Sequence, residues 1–560
     1  MSTAVAEPTR STPATSKRPW WALIALLLGL SMIVIDGSLV NVLLPDMVRD
    51  LDLSSTDVLW VNSIYSLLFA ALLIPVGLIA DKYGRRRLFL IGALVFLLGS
   101  FAAGASQGSE WLISARAVQA VGASMMLPSS IAIINVMFVG KQRAVAFGLW
   151  GAVFGGAAAL GPLLGGWLTQ DFSWRWAFYV NVPVAIISAL LVLTYVPESK
   201  MQGVDGLDPV GFALSAIGLG LIVFGLIEAQ QYGWWNAIAD FQAGPIHLRP
   251  PGLSVVPVAI FVGAVLLLLL YLWSRRQSAR GATTMIDLSL FKIRRYGFGN
   301  VVAMVVSLGE FGILFVLPLW LQSVAGKDPM ATGVILASLA LGALISGGLA
   351  RHLSAAIGST MVVRVGMGLE IVGVVGIGFM FSQDRSPWWL CAPLVIYGLG
   401  LGLASAQLTN VVLEDVPPEA SGRASAMTST FRQLGAALGS AILGAVLFTG
   451  LGGFMTTDLK GVSNLPADQQ AKIVDTVKGS AGQYIVAMEK IPQLAPEVQA
   501  AKEGYTSAAR DTAFTAALFI FFGLLVSFGL PKDSVKEGIE AEPEPGRGAD
   551  DPTRAATPGS

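Results

Sequence analysis

Ionisable residues stand inside several apolar runs, and three of them open the argument. Asp36 lies in run 20–44, Arg116 in run 111–138 and Glu310 in run 298–321. A charge in hydrocarbon is costly, so each must be paired, protonated or matched to a cation. Asp36 is eight residues from one end of its run, and Arg116 five from the matching end of its own. At ~1.5 Å per residue their depths differ by only a few ångström, so the two can pair. A static pair would fix helix packing. A switch would release Arg116 whenever Asp36 takes up a proton. Glu310, flanked by Gly309 and Gly312, stands near mid-run. A lone carboxyl there is protonated, hydrogen-bonded to a neighbouring helix, or matched to a cation.

Other polar and aromatic residues share these runs. Asn41, Asn62, Gln119, Asn135, Gln407 and Asn410 either line a cavity or bond neighbouring helices. Trp60, Tyr65, Phe154, Phe311, Phe315 and Tyr397 offer faces to flat or cationic ligands, or serve as packing. Glu228, Glu370 and Glu414 are read as wetted residues nearer the ends of their runs. His247 and His352 fall in loops and make no metal cluster. The phosphate-cradling pattern Gly-x-x-x-x-Gly-Lys-Ser/Thr is absent, which argues against direct drive by ATP. No nucleophile–base constellation is present, so neither an enzyme nor a cofactor is expected.

The elements that must position these residues are membrane helices. The chain has 560 residues, 54% hydrophobic and only 13% charged, too apolar for one soluble core. Lys+Arg and Asp+Glu are both 36, which gives no electrostatic footprint for nucleic acid. A single cysteine, Cys391, excludes an intramolecular disulfide. Fourteen apolar spans approach the ~20 residues a bilayer requires. They fall near 20–44, 58–80, 88–106, 111–138, 145–168, 175–196, 209–228, 255–273, 298–321, 331–350, 361–382, 388–413, 424–450 and 512–530. Basic residues gather in alternate loops: Lys82, Arg85, Arg86 and Arg87, then Lys141 and Arg143, then Arg275, Arg276, Arg280, Lys292, Arg294 and Arg295. The positive-inside rule therefore puts both termini in the cytoplasm.

Several segments interrupt the pattern. Residues 1–19 and 531–560 are polar, Pro-rich tails expected to be disordered. Residues 229–254 form an outer loop with interface aromatics Tyr232, Trp234 and Trp235. Residues 286–296 read as an amphipathic stretch lying along the membrane surface. Segment 451–510 reads as a long outer segment with helices at 469–477 and 497–509, broken at Pro466 and Pro492. Weak internal symmetry relates Leu78–Gly84 to 348–358, and 143–146 to 423–426. Two six-helix bundles, 20–196 and 298–530, with two helices inserted in 197–297, would align these pairs.

Run 148–166, GLWGAVFGGAAALGPLLGG, pairs Gly151 with Gly155 and Gly161 with Gly165, beside Pro162 and Gly166. Residues four apart share a helix face, so another backbone can approach closely there. The proline removes a hydrogen bond and invites a bend.

These motifs carry a resemblance. Gly156 with Gly161-Pro162-Leu163-Leu164-Gly165-Gly166 resembles the antiporter motif of the major facilitator superfamily. Gly77 to Arg87, GLIADKYGRRR, resembles its signature loop, and Asp36 to Pro45, DGSLVNVLLP, its first-helix motif in drug:proton antiporters. Arg116 to Gly122, RAVQAVG, is similar to the fourth-helix motif, with Ala120 where the family usually has glycine. Ser173 to Pro183, SWRWAFYVNVP, is similar to the sixth-helix entry of the fourteen-helix branch.

The resemblance implies an all-α integral membrane protein of the major facilitator fold with fourteen transmembrane helices. It implies a proton-coupled antiporter that exports amphipathic, often cationic, small molecules from a bacterium across its inner membrane. Proton coupling would fall to Asp36, Arg116 and Glu310. Cargo would meet Glu310, Asn41, Tyr65, Gln119, Phe311 and Gln407. Gating and packing would fall to Asp81, Gly84, Arg85, Gly161, Pro162, Gly165 and Gly166. The partners implied are small molecules, protons and the bilayer, with the protein a monomer. A dedicated exporter of one metabolite or envelope lipid is the alternative within transport; a non-transporting receptor or scaffold is the alternative outside it.

Overall fold

The structure, a computed structural model, describes residues 18–138, 140–200, 208–243, 246–248, 252–280, 284, 288–417, 421–462 and 465–531. Nearly all of both expected tails thus lies outside the described residues. Seven helices form the first half: α1 (Arg18–Leu51), α2 (Ser55–Tyr83), α3 (Arg85–Gly104), α4 (Ser109–Met137), α5 (Gly140–Asp171), the short α6 (Trp176–Tyr179) and α7 (Asn181–Tyr195). The inserted pair is α8 (Pro209–Tyr232) and α9 (Val255–Ala279). The second half begins with α10 (Arg294–Ser323), α11 (Pro329–Ile357), α12 (Ser359–Met380) and α13 (Cys391–Leu413). It ends with α14 (Ser421–Val462), α15 (Ala467–Gly479), α16 (Gln483–Met488) and α17 (Ala495–Ser527). Thirteen helical stretches among the described residues are long and apolar enough to cross a membrane. The 32-residue α5 holds the place of the fifth of the fourteen expected spans.

Local chemistry sets the helix starts. Ser54 Oγ accepts the Asp57 amide at 3.1 Å while the Asp57 carboxylate accepts the Ser54 amide at 3.0 Å, a capping box that begins α2. Asp208 and Asp328 each accept an amide of the first turn, of α8 and α11, with proline at the next position. The internal symmetry appears in the backbone: Gly84 (φ 122°) precedes α3 and Gly358 (φ 85°) precedes α12, both in a region that favours glycine.

Packing divides the chain. In the first half α1 packs on α5 and α7, and α4 on α2 and α3; in the second, α14 packs on α10 and α17, and α13 on α11 and α12. Two seams join the halves, α2 against α14 and α5 against α11. By the repeat symmetry these seams are equivalents of each other. The inserted α8 packs on α9 and lies against both α2 and α14.

The outer loop 229–254 contains a two-stranded hairpin, β1 (Phe241–Ala243) antiparallel to β2 (Ile246–Leu248). The expected amphipathic stretch 286–296 is described from residue 288 onward. Residues 286 and 287 are outside the described residues, a 3-10 turn covers Leu290–Lys292, and α10 begins at Arg294. Leu290 and Tyr296 are buried, Phe291 meets Tyr296 edge-on and Phe431 at a tilt, and Arg295 pairs with Glu414 and Asp415, so this stretch docks on the second half. Segment 451–510 has helices where they were expected, 469–477 within α15 and 497–509 within α17, with Pro466 and Pro492 just outside them. α14 runs on to Val462 and α17 starts at Ala495, with α15 and α16 between them. Finally, Glu370 is not wetted: it is fully buried.

Candidate functional site

The first-half site is built around Asp36, fully buried on α1. Arg116 of α4 donates from Nη1 to Asp36 Oδ2 at 2.5 Å, and its side chain is only 1% exposed. Asp36 Oδ1 accepts Gln119 Nε2 at 3.0 Å and Asn181 Nδ2 at 3.1 Å. Ser100 Oγ of α3 accepts the same two amides at 2.7 and 3.1 Å. Tyr65 of α2 lays its ring over the guanidinium, 4.4 Å from Cζ to centroid, a cation–π contact in a dry setting. Five helices thus converge on one carboxylate, and its charge is matched and hydrogen-bonded.

The spacing of α4 makes this arrangement. Arg116 and Gln119 are three apart, so they share one helix face. Gln119 was expected to meet cargo; instead it bridges Arg116, Asp36 and Ser100. Asn181 and Ser100 belong to the site although sequence reasoning did not choose them. Asn181 sits at the start of α7 in the motif Ser173 to Pro183, which was the available signal.

The second half holds a different cluster. Glu310 of α10 and Arg432 of α14 are each half-buried. They act on each other electrostatically, and both act on Glu370 of α12. Phe311 is also half-buried beside Glu310. Gln407 does not join them: it donates to the Ala350 carbonyl at 3.3 Å, a bond between α13 and α11. Asn41 is buried on α1 and both its amide atoms lack a partner, while Asn135 and Asn410 are exposed. Trp60 donates to Glu228 at 2.9 Å, which buries that carboxyl rather than wetting it. Phe315 is core, edge-on to Phe448. The side chain of Phe154 lies outside what is described, as does that of Asp81.

The glycine-proline stretch of α5 lies between the two sites. A Cβ on Gly161 would strike Ser38 of α1, and one on Gly165 would come 3.2 Å from Leu39. On the other face, a Cβ on Gly166 would lie 2.5 Å from the Pro329 carbonyl of α11. Pro162 in turn faces Gly333, whose added Cβ would lie 2.5 Å from the Pro162 carbonyl. So α5 meets α1 with one glycine face and the opposite half with the other. Further bonds across the halves are Ser63–Ser440 at 2.9 Å, Gln322 to the Val42 carbonyl at 3.0 Å, and the Met330 amide to Gln170 at 3.2 Å. Most of these contacts lie toward the membrane side away from the start of α1 and the end of α17.

On the near side, the signature loop is held within the first half. Glu198, just past α7, accepts the amides of Arg86 and Arg87, both at 3.1 Å, and so caps α3. A Cβ on Gly84 would lie 2.8 Å from the Glu198 carboxyl. Arg85 reaches the Ala132 carbonyl at 3.5 Å.

Comparison with known proteins agrees with this geometry. A family model described as Major Facilitator Superfamily matches residues 26–440. Multidrug resistance protein Stp of Mycobacterium tuberculosis is 32% identical, over 76% of this chain and 75% of its own. The multidrug efflux pump LfrA of Mycolicibacterium smegmatis is 30% identical, over 93% of this chain and 97% of its own. A puromycin resistance protein of Streptomyces alboniger is 32% identical, over 84% and 88%. Among solved structures, a bacterial homologue of the human lysosomal transporter Spinster, inward-facing and unoccupied, superposes with a TM-score of 0.60 at 16% identity, over 92% of this chain and 98% of its own.

Proposed function

The chain belongs to the Major Facilitator Superfamily, and on that premise we propose that it is a multidrug exporter of a bacterial inner membrane that exchanges protons for amphipathic, often cationic, small molecules. Both termini lie in the cytoplasm in this reading, on the side rich in Lys and Arg. The observation that carries the coupling is the buried Asp36–Arg116 pair. Protonating Asp36 removes the charge that Arg116 is matched to, so the proton and the helix arrangement become one equilibrium. The relatives named for multidrug, puromycin and methylenomycin A resistance support the cargo class. In this reading a cationic cargo meets Glu310, and the partial exposure of that carboxyl supports the assignment.

The drive available is about 1.4 kcal/mol per pH unit and ~2.3 kcal/mol per charge per 100 mV. One proton against one monovalent cation moves no net charge, so only the pH gradient acts; a second proton would bring in the membrane potential. The experiment is transport in proteoliposomes under an imposed pH gradient, with a panel of lipophilic cations, neutral drugs and lipids. Uptake of cations and neutral drugs that follows the gradient is the expected result. Uptake of a single compound or lipid would replace the multidrug reading with that of a dedicated exporter. Uptake indifferent to pH would remove the proton.

A further inference from the structure

Glu370 has no assigned role, yet its surroundings are unusual. It stands at mid-helix in α12, fully buried, and neither carboxyl oxygen has a hydrogen-bond partner. α13 presses directly on it: a Cβ on Gly400 would lie 3.0 Å from Glu370 Cγ. The Tyr397 hydroxyl, on the same helix, is also buried and unpartnered. Among the described residues, the charged groups that act on Glu370 are Glu310 of α10 and Arg432 of α14, and Tyr397 of α13 feels both carboxyls. An ionised carboxylate buried there with no donor on either oxygen would be costly, and a proton removes that cost. The first half sets one acid against one guanidinium, whereas the second sets two acids against one. Both acids of the second half cannot be ionised and matched at once.

We propose that Glu370 is a proton-carrying residue of the exchange cycle. It holds a proton in the conformation described here. When α12 or α14 moves so that the Arg432 guanidinium reaches Glu370, the O–H bond of Glu370 breaks and the proton passes to water. The guanidinium then matches the new carboxylate, and Glu310 is free to meet a cation. Glu370 touches no cargo; it acts through Arg432 and Glu310. This deepens the antiport reading and rests on it.

The test uses the full chain. Infrared difference spectra on alkaline titration should show a protonated-carboxyl band in the wild type at neutral pH. The band should vanish in Glu370→Gln, persist in Glu310→Gln and shift in Glu370→Asp. Absence of any such band in the wild type, or an unchanged band in Glu370→Gln, overturns the proposal. In proteoliposomes, Glu370→Gln should bind a lipophilic phosphonium cation within about twofold of wild type, yet lose about tenfold in pH-driven uptake. Wild-type uptake that ignores the pH gradient would overturn both the antiport reading and this role. Wild-type uptake that follows it, matched equally by Glu370→Gln, would overturn the Glu370 role alone.

Discussion

The two halves treat a buried acid in opposite ways. Asp36 is surrounded by donors: a guanidinium and two amides reach its two oxygens. Glu370, equally buried, is reached by none. A satisfied ion pair resists titration until the helices that hold it separate. An unsatisfied acid in a dry site stays protonated until a cation comes to it. In the exchange proposed above, the first half would convert motion into a change of charge by breaking a contact, and the second by making one. The difference can be broken by substitution.

The largest effect should come from Arg116→Ala. It leaves Asp36 a buried carboxylate with amide partners only, and breaking such a pair costs about 3–5 kcal/mol. Unfolding of the detergent-solubilised protein, followed by reactivity of Cys391, its only thiol, should register that loss together with loss of pH-driven uptake. Stability within about 1 kcal/mol of wild type would mean the pair is not the anchor described. Next, Asp36→Asn should stop pH-driven export while cargo still binds, because the site is held in its neutral form. If vesicles carrying this variant export normally under a pH gradient, the coupling acid lies in the second half alone.

Gly161→Leu and Gly165→Leu act on neither site. They should abolish export with protein still in the membrane, since the α1–α5 approach leaves no room for a side chain. Normal export by both would show that this face is not a working contact. Glu310→Gln should weaken export of cations relative to neutral drugs by about 1–2 kcal/mol, roughly five- to thirty-fold. Equal losses for both classes would remove Glu310 from cargo recognition. The smallest effect is on stability in Glu370→Gln: a neutral amide in place of a neutral acid should change it by no more than about 1 kcal/mol. A loss like that of Arg116→Ala would mean Glu370 is ionised and paired after all.

The sequence carried part of this. Asp36 and Arg116 were legible because each is a charge in an apolar run and depth along a helix can be counted. The same count places Glu370 within two residues of the middle of run 361–382, so its burial was legible as well. Arg432 was legible too, as the one charged residue of run 424–450. Asn181 and Ser100 were not, since neutral polar residues are common in packed helices and the register of α7 against α1 is a tertiary fact. The glycine spacing of α5 announced close contact but not with which helix. Hydropathy marked where α14 and α17 leave the bilayer, but a helix continues past that point where one face stays packed, as Leu451, Met455 and Leu459 of α14 do.

The seams have a consequence for the speed of the cycle. The ion pairs described above all lie within one half or the other. The halves meet through glycine, proline and a few neutral hydrogen bonds. In a bilayer such surfaces gain little from the hydrophobic effect when they touch, because lipid tails are as apolar as side chains. Parting them breaks, among the described contacts named here, no ion pair and little that lipid or water cannot replace. The clasp holds by fit rather than by strong bonds. It should open and reclose at a rate indifferent to ionic strength, and the protonation of the carboxyls is left to decide the direction.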